Sequence, residues 1–319
     1  MKRFSFLLLL VLVACKPPVQ PFQPPVPKVC LPEVVLPSPG MGRQGMVEIP
    51  AGQAVLGYDP KYAEEGPERK VSMPAFWIDK TDVTNAQFDA FVVATGYQTL
   101  AERRNPPSSL VFSANPSGVD LGNPSLWWKI VEGASWRTPW GPGSSVKGRE
   151  TLPVVHVAFE DALAYAHWLG RDLPTEDEWE YAARGGLIKT QYVWGNDAPG
   201  QGTPRANTWQ GVFPIEDTGK DGYHSQPSPV GCFPANAYGL FDMAGNVWQW
   251  TRDVYQSKPA APAEPEKGVI KGGSFLCAES YCMRYRPSAR VGAELQEGTS
   301  HLGFRTVLRT KGTRGEIQK

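Results

Sequence analysis

The chain of 319 residues carries 32 Lys and Arg against 32 Asp and Glu, a formal charge of zero, so no long-range basic field gathers nucleic acid or anionic lipid. Nucleic acid is therefore excluded as a partner class. With 41% apolar residues the length fills one large domain or two small ones, and 33 Gly, 31 Pro and 11 Trp describe loop-rich backbone pinned by aromatic contacts.

The opening MKRFSFLLLLVLVAC has basic residues at Lys2 and Arg3, an apolar run too short to span a bilayer, and a small residue before Cys15. Residues 1–14 read as an export signal. The LVAC ending resembles the lipobox of bacterial lipoproteins, which makes Cys15 the expected lipid-modified N-terminus of an exported, membrane-anchored protein at the periplasmic face or cell surface. An ordinary signal peptide with an incidental cysteine has the same layout. Lys16 is not the Asp that argues for inner-membrane retention. Residues 15–42 read as a proline-rich tether in extended geometry. Cys30 within it is expected to be spare, or paired between chains.

A single domain is expected over 43–310, with a flexible tail at 311–319. GMVEIPAGQAVLGYD alternates and breaks at glycines as a hairpin edge does. Thr84 or Asn85 caps a predicted helix that turns Phe88 and Phe91 inward and stops at Gly96. FEDALAYAHWLG predicts a second, with Ala162, Tyr165, Ala166 and Leu169 on one stripe. A third follows the capping-box spacing of Thr175 and Glu178, buries Trp179 and Ala182, and ends at Gly185. Beyond residue 190 no helical pattern continues, and such irregular length signals functional loops or bound ions. Residues 101–130 and 257–268 read as peripheral insertions.

Chemistry concentrates in GGSFLCAESYC, where Cys277 and Cys282 stand five apart. Soft thiolates select copper(I), zinc or iron–sulfur centres, and two cysteines cannot close a tetrahedral zinc site. Extended backbone would hold the sulfurs roughly 16 Å apart, so any joint role needs a bend. A structural disulfide suits an oxidising compartment, two unrelated buried thiols suit cysteine's habit, and a metal or redox pair is the third arrangement. Cys232 has no partner at a telling spacing and reads as core. His156, His167 and His301 form no cluster and read as core or capping residues. No nucleophile elbow and no phosphate-binding glycine loop occur.

LPTEDEWEYAARGG, YVWGN, ANTWQGVFP, YGLFDMAGNVWQWTRD, KGGSFLCAESYCMRYRPSAR and HLGFR, in this order, resemble the formylglycine-generating enzyme (sulfatase-modifying factor) family from about residue 45 to 309. The resemblance implies a mixed α/β fold with much irregular structure, like a C-type lectin domain. It implies an oxidase that converts the cysteine of a CxPxR segment in an unfolded sulfatase polypeptide to Cα-formylglycine, using dioxygen and a Cu(I) ion held by two cysteine thiolates. Cys277 and Cys282 take that place, the substrate thiol arriving as a third ligand, and Ser274, Tyr281 and Trp248 match positions around the oxygen and copper pocket. Structural calcium (Ca2+) is implied twice. Asn207 and Asp221 with the carbonyls of Thr208 and Tyr223 match the first site, and Asp242 and Gln249 with the carbonyls of Gly245 and Val247 match the second. Asp and Gln replace the more usual Asn and Glu there. Arg284, Arg286, Arg290 and Arg305 are expected to buttress the active region, paired with acids such as Asp253 or Glu180.

VGAELQEGTSH stands where family oxidases carry an NTPDSS-type segment, so part of the substrate groove differs. A monomer is expected. A second reading, from another class, is a non-catalytic, calcium-stabilised lectin-like binding module anchored on a membrane. The cysteine pair favours the oxidase, while the tether and altered groove favour the module.

Overall fold

A computed structural model describes residues 30–31, 34–113, 123, 126–199, 202–258 and 261–309. The leader at 1–14, Cys15, most of the tether and the tail at 311–319 lie outside the described residues. In chain order come strands Met46–Ile49 (β1), Gly52–Leu56 (β2), Arg69–Met73 (β3) and Phe76–Asp79 (β4), then helices Asn85–Thr95 (α1) and Leu100–Arg103 (α2). Strands Ser108–Phe112 (β5) and Trp128–Glu132 (β6) precede helices Phe159–Trp168 (α3) and Glu176–Arg184 (α4). The last part holds Gly211–Val212 (β7), Glu216–Asp217 (β8), Trp248–Tyr255 (β9), Glu264–Lys271 (β10), Val291–Glu294 (β11), Leu302–Gly303 (β12) and Val307–Arg309 (β13).

Side chains set the helix ends. Thr84 and Gln87 bond reciprocally to each other's backbone N–H at the start of α1, and Gly96 closes it in the left-handed region at φ 68°. Thr175 and Glu178 do the same for α4, with Gly185 at φ 57°. At α3 the Asp161 carboxylate accepts from the Ala158 N–H, standing in for a capping side chain that alanine lacks. Among the described residues no helix follows Arg184, and none is long and apolar enough to cross a membrane.

The strands near the start do not form the expected hairpin. β1 pairs with β4 and β2 with β3, both antiparallel, so MVEI and GQAVL lie in different sheets. Alternation reports a strand and its buried face but not its partner. A three-stranded sheet runs β1-β4-β13 and a four-stranded one β11-β10-β9-β12. In the second sheet only the β12–β9 pairing is parallel. α4 packs Trp179, Ala182 and Ala183 with Ile49, Phe76 and Ile78 of the first sheet. α1 and α3 pack Phe88, Phe91 and Tyr165 against Trp136, Phe304 and the Trp250 side of the second.

Neither expected insertion is merely peripheral. Within 101–130, α2 and β5 are regular, and Trp127 is 1% exposed in a cluster with Trp209, Phe213 and Phe275. Within 257–268, residues 264–268 belong to β10, a central strand paired on both sides. The histidine reading agrees with the structure at His156. It is fully buried between the Ser109 hydroxyl and the Pro139 carbonyl, and burial pushes its pKa down to about 4.

The readings of Cys30 and Cys232 are corrected, because the two form a disulfide across 202 positions of sequence. No spacing rule reaches that far. The bond fastens the end of the tether to the domain, where the Gln87 side chain also donates to the Val35 carbonyl and Arg171 donates to the Gly42 and Gln44 carbonyls. Replacing both cysteines by serine is expected to lower stability by about 2–4 kcal/mol in denaturant titrations, and added reductant should then shift the wild-type midpoint but not the variant's.

Candidate functional site

The segment from Gly272 to Cys282 leaves the end of β10 through two glycines. Gly273 has φ 73°, and a Cβ there would meet the Tyr285 N at 2.9 Å, so the position requires glycine. The chain then turns. Cys277 N–H donates to the Ser274 carbonyl at 2.9 Å, and the Tyr281 and Cys282 N–H groups both donate to the Ala278 carbonyl, at 3.2 and 2.8 Å. This turn supplies the bend that an extended strand cannot. The two sulfurs stand 2.8 Å apart, and neither is in a disulfide.

Neighbouring residues hold the turn in place from both sides. Cys277 is 2% exposed in the cluster with Trp248 and Tyr285, whereas Phe275, Leu276 and Ala278 belong to the cluster of Trp127, Trp209 and Phe213. The Trp209 N–H donates to the Cys277 carbonyl. Tyr281 is 38% exposed and stacks on Phe213 with ring centres 4.4 Å apart. Ser274 is fully buried and its hydroxyl oxygen accepts from the Leu276 N–H, so its observed contact shapes the turn.

The thiols are unequal. Burial pushes the Cys277 thiol well up, while the hydrogen bond from Cys277 and the nearby Arg284 guanidinium bring Cys282 down. Cys282 is the more exposed of the two. Arg284 pairs with Glu64 at 2.5 Å and lies 3.9 Å over the Tyr62 ring. Arg286 pairs with buried Glu65, Arg290 with Glu176, and Arg305 with Asp82. The expected acids do other work: Asp253 accepts from the Glu176 N–H, and Glu180 pairs with Arg184 and Lys271. Arg284, Arg286 and Arg290 reach the 59–65 loop, which sequence distance hides, whereas Arg305 is held by Asp82, Gln249 and the Asp79 and Phe241 carbonyls.

At the first calcium position the structure brings the residues together. The Asp221 carboxylate accepts from the Thr208 and Tyr223 N–H groups, and the Asn207 amide donates to the Gln226 carbonyl. Burial raises the Asp221 pKa to about 6. Among the described residues the Asp221 carboxylate has no ion pair, and the buried Gln226 Oε1 has no hydrogen-bond partner. These residues fit a hard cation.

At the second position the residues are bonded chiefly to one another and to Arg305. Gln249 Oε1 already accepts from Trp179 Nε1 at 2.6 Å and Arg305 Nε at 2.7 Å, and its Nε2 donates to the Asp242 carbonyl. Asp242 Oδ2 accepts from the Gly231 N–H. A fully buried guanidinium occupies the surroundings that a dication would need, donating also to the Phe241 carbonyl. Gly245 and Val247 offer only backbone there.

Sequence reading passed over Asn246. Fully buried at φ 59°, it receives the Ser228 N–H on its Oδ1 and gives its Nδ2 to the Ser228 carbonyl. Its N–H donates to the Asn207 carbonyl and its carbonyl accepts from Phe275 N–H, at the root of the cysteine turn. Its conformation, which asparagine tolerates, was the available signal.

A cleft of about 590 Å³ lies against the turn, lined by Glu279 and Ser280 on one side and by Trp194, Trp209 and Tyr285 elsewhere. A profile described as the sulfatase-modifying factor enzyme 1-like domain matches residues 33–310. A formylglycine-generating enzyme from Thermomonospora curvata is 47% identical over 292 residues, covering 84% of this chain and 94% of that one. The chain belongs to the sulfatase-modifying factor family. Family members also include a mouse protein named inactive C-alpha-formylglycine-generating enzyme 2, 42% identical over 82% of this chain and 84% of its own length. The structure of PvdO from Pseudomonas aeruginosa shares the fold, with a TM-score of 0.58 at 24% identity over 82% of this chain and 93% of that one. The family fold is mixed α/β, mostly short strands and irregular backbone in a single domain, as the sequence implied.

Substituting Asn246 by alanine removes several buried hydrogen bonds at once and should lower stability by about 2–4 kcal/mol, read from denaturant midpoints. Loss below about 0.5 kcal/mol would show that the loops are held without it.

Proposed function

We propose that this enzyme converts the cysteine of a CxPxR segment in a sulfatase polypeptide to Cα-formylglycine, with dioxygen as oxidant and Cys277 and Cys282 holding a copper(I) ion. The observation that carries the reading is the contact of two unbonded sulfurs, 2.8 Å apart, in a turn beside a cleft. Relatives named formylglycine-generating enzyme support the substrate class.

As a balance, the –CH2SH group and water give –CHO, hydrogen sulfide, two protons and two electrons, and dioxygen takes the electrons. Bound copper(I) supplies a soft centre for the incoming thiol and the oxidant. The protein's own side chains do the rest. Buried Cys277 fixes one sulfur in the core, and partly buried Cys282 packs beside it at the edge of that cluster. Arg284, tied to Glu64, places positive charge beside Cys282 and favours its thiolate. Trp127, Phe213 and Tyr281 form an aromatic wall that keeps water from one side of the turn. Trp248 packs in the cluster that holds Cys277.

Calcium at Asn207 and Asp221 is read as structural, since it would neutralise a half-buried carboxylate on the loop adjoining Trp209. The lipobox-like start supports export and anchoring through Cys15, with the enzyme meeting sulfatase chains before they fold.

Incubating reduced, copper-loaded protein with a CxPxR peptide should yield the aldehyde by mass spectrometry. Cys277→Ala and Cys282→Ala are each expected to lose at least about a hundredfold in rate and to bind less copper, since removing a metal ligand exceeds the effect of removing its supporting residues. Copper-bound wild-type protein that yields no aldehyde would defeat the reading. Calcium at a hundredfold excess over Kd should stabilise the wild type by about 2.7 kcal/mol. Asp221→Asn should abolish that shift, and an equal shift in the variant would remove the loop as the calcium site.

A further inference from the structure

The tether joins the domain beside the first calcium position. Cys30 is bonded to Cys232, and Leu31 lies so close over Gly231 that a Cβ there would collide with it. The Tyr223 hydroxyl donates to the Cys232 sulfur at 3.0 Å. The same residue's N–H donates to Asp221 Oδ1 at 3.0 Å, while Asp221 Oδ2 accepts from the Thr208 N–H at 3.0 Å. Tyr223 is therefore held twice, by the disulfide at its ring and by the carboxylate at its backbone. With both fixed, its Cα is set, and so is the place from which its carbonyl, one of the oxygens implied for calcium, is presented. Trp209, next to Thr208, donates its N–H to the Cys277 carbonyl, so tether, loop and cysteine turn share one chain of contacts.

The covalent bond is what fixes that sulfur. A free cysteine samples three staggered positions about Cα–Cβ, whereas Cys232 bonded to Cys30 keeps one. The bond is also within reach of solvent, since Cys30 is exposed and Cys232 and Tyr223 are half-buried. A dithiol opens it in two exchanges. One thiolate attacks a sulfur of the bond and forms a mixed disulfide, which the second thiolate resolves. Two electrons and two protons pass to Cys30 and Cys232 as the dithiol closes to its own disulfide. Cys277 and Cys282 are already thiols, so the same reagent leaves them unchanged.

We infer that the Cys30–Cys232 bond and calcium at Asn207 and Asp221 strengthen one another through Tyr223, so that a dithiol reductant, by opening the bond, loosens the loop's hold on the ion. This coupling rests on the calcium reading proposed above and adds a redox control to it. Linkage makes it reciprocal: the factor by which the bond raises calcium affinity is the factor by which calcium resists opening of the bond. The expected factor is about fivefold, the scale of one hydrogen bond. At about 30 mV per tenfold change for a two-electron couple, fivefold corresponds to about 20 mV. An oxidising, calcium-containing compartment thus completes the loop, and a reducing one relaxes it.

The test is calcium titration calorimetry on the full chain, freed of metal by dialysis. Oxidised wild-type protein should bind calcium about fivefold more tightly than wild type reduced with dithiothreitol, and than the Cys30→Ser/Cys232→Ser variant. Tyr223→Phe keeps the ring and the carbonyl and removes the hydroxyl. It should bind calcium as weakly as reduced wild type, and reducing it should change nothing further. In redox titrations with the closed bond scored by mass spectrometry, saturating calcium should move the wild-type midpoint about 20 mV more negative and leave that of Tyr223→Phe in place. Melting curves identify any variant that fails to fold, and oxidised against reduced wild type then decides alone. Equal calcium affinity in those two forms overturns the coupling, as does a loss on reduction that is undiminished in Tyr223→Phe, and either result leaves the calcium reading standing. Calcium that does not bind oxidised wild type, or that binds Asp221→Asn equally well, defeats the calcium reading and the coupling with it.

Discussion

Buried backbone that belongs to no helix or ladder must still satisfy its N–H and C=O groups, and this fold is built around meeting that requirement with side-chain amides and carboxylates. Asn246 joins the loops at 207, 228 and 275, and Asn236 bonds the last carbonyls of α4 while its own oxygen accepts from Tyr238 and Leu240 N–H. Asp217 takes the N–H groups of Gln210, Gly219 and Ser225. Each such residue fixes loops far apart in sequence. The position of the cysteine turn is a consequence, because its first residues hang from the Asn246 carbonyl and its middle from Trp209.

The same economy of regular structure explains the charged interior. Arg305 is fully buried, yet its guanidinium donates to the carbonyls of Asp79 and Phe241, to Asp82 and to Gln249. A planar group with five donors suits the convergence of several irregular segments better than any apolar residue. Gln249 is the partner that fits it, since a neutral amide accepts from both Trp179 and Arg305 and still donates to Asp242. What reads in sequence as a weakened calcium position is, in three dimensions, a junction completed by a cation that the chain itself provides.

Local signals were legible and distant ones were not. Two helix starts and two glycine stops were readable because caps lie within three or four residues of what they satisfy. The resemblance carried by the aromatic motifs led to the family and its fold, and drew Cys277 and Cys282 out as a pair. The pairing of β1 with β4, the Cys30–Cys232 bond, and the Glu64 and Glu65 partners of Arg284 and Arg286 span tens to hundreds of positions. Composition and periodicity contain no term for such distances. The stretch 101–130 misled for another reason: its Pro, Ser and Asn content is that of a surface loop, but Trp127 outweighs it, since burying one indole anchors the hairpin to the wall beside the turn.

Putting the reactive sulfurs on a short turn, rather than on a strand or helix, has a chemical consequence. A strand would separate the two thiols, whereas a turn hung between two aromatic clusters holds both sulfurs within reach of one ligand. Phe275, Leu276 and Ala278 pack in one aromatic cluster while Cys277, with Cys282 beside it, packs against the other, so the turn is held from both sides. Glu279 and Ser280 are exposed at the tip of that turn, and the Tyr281 and Cys282 N–H groups tie its return to the Ala278 carbonyl.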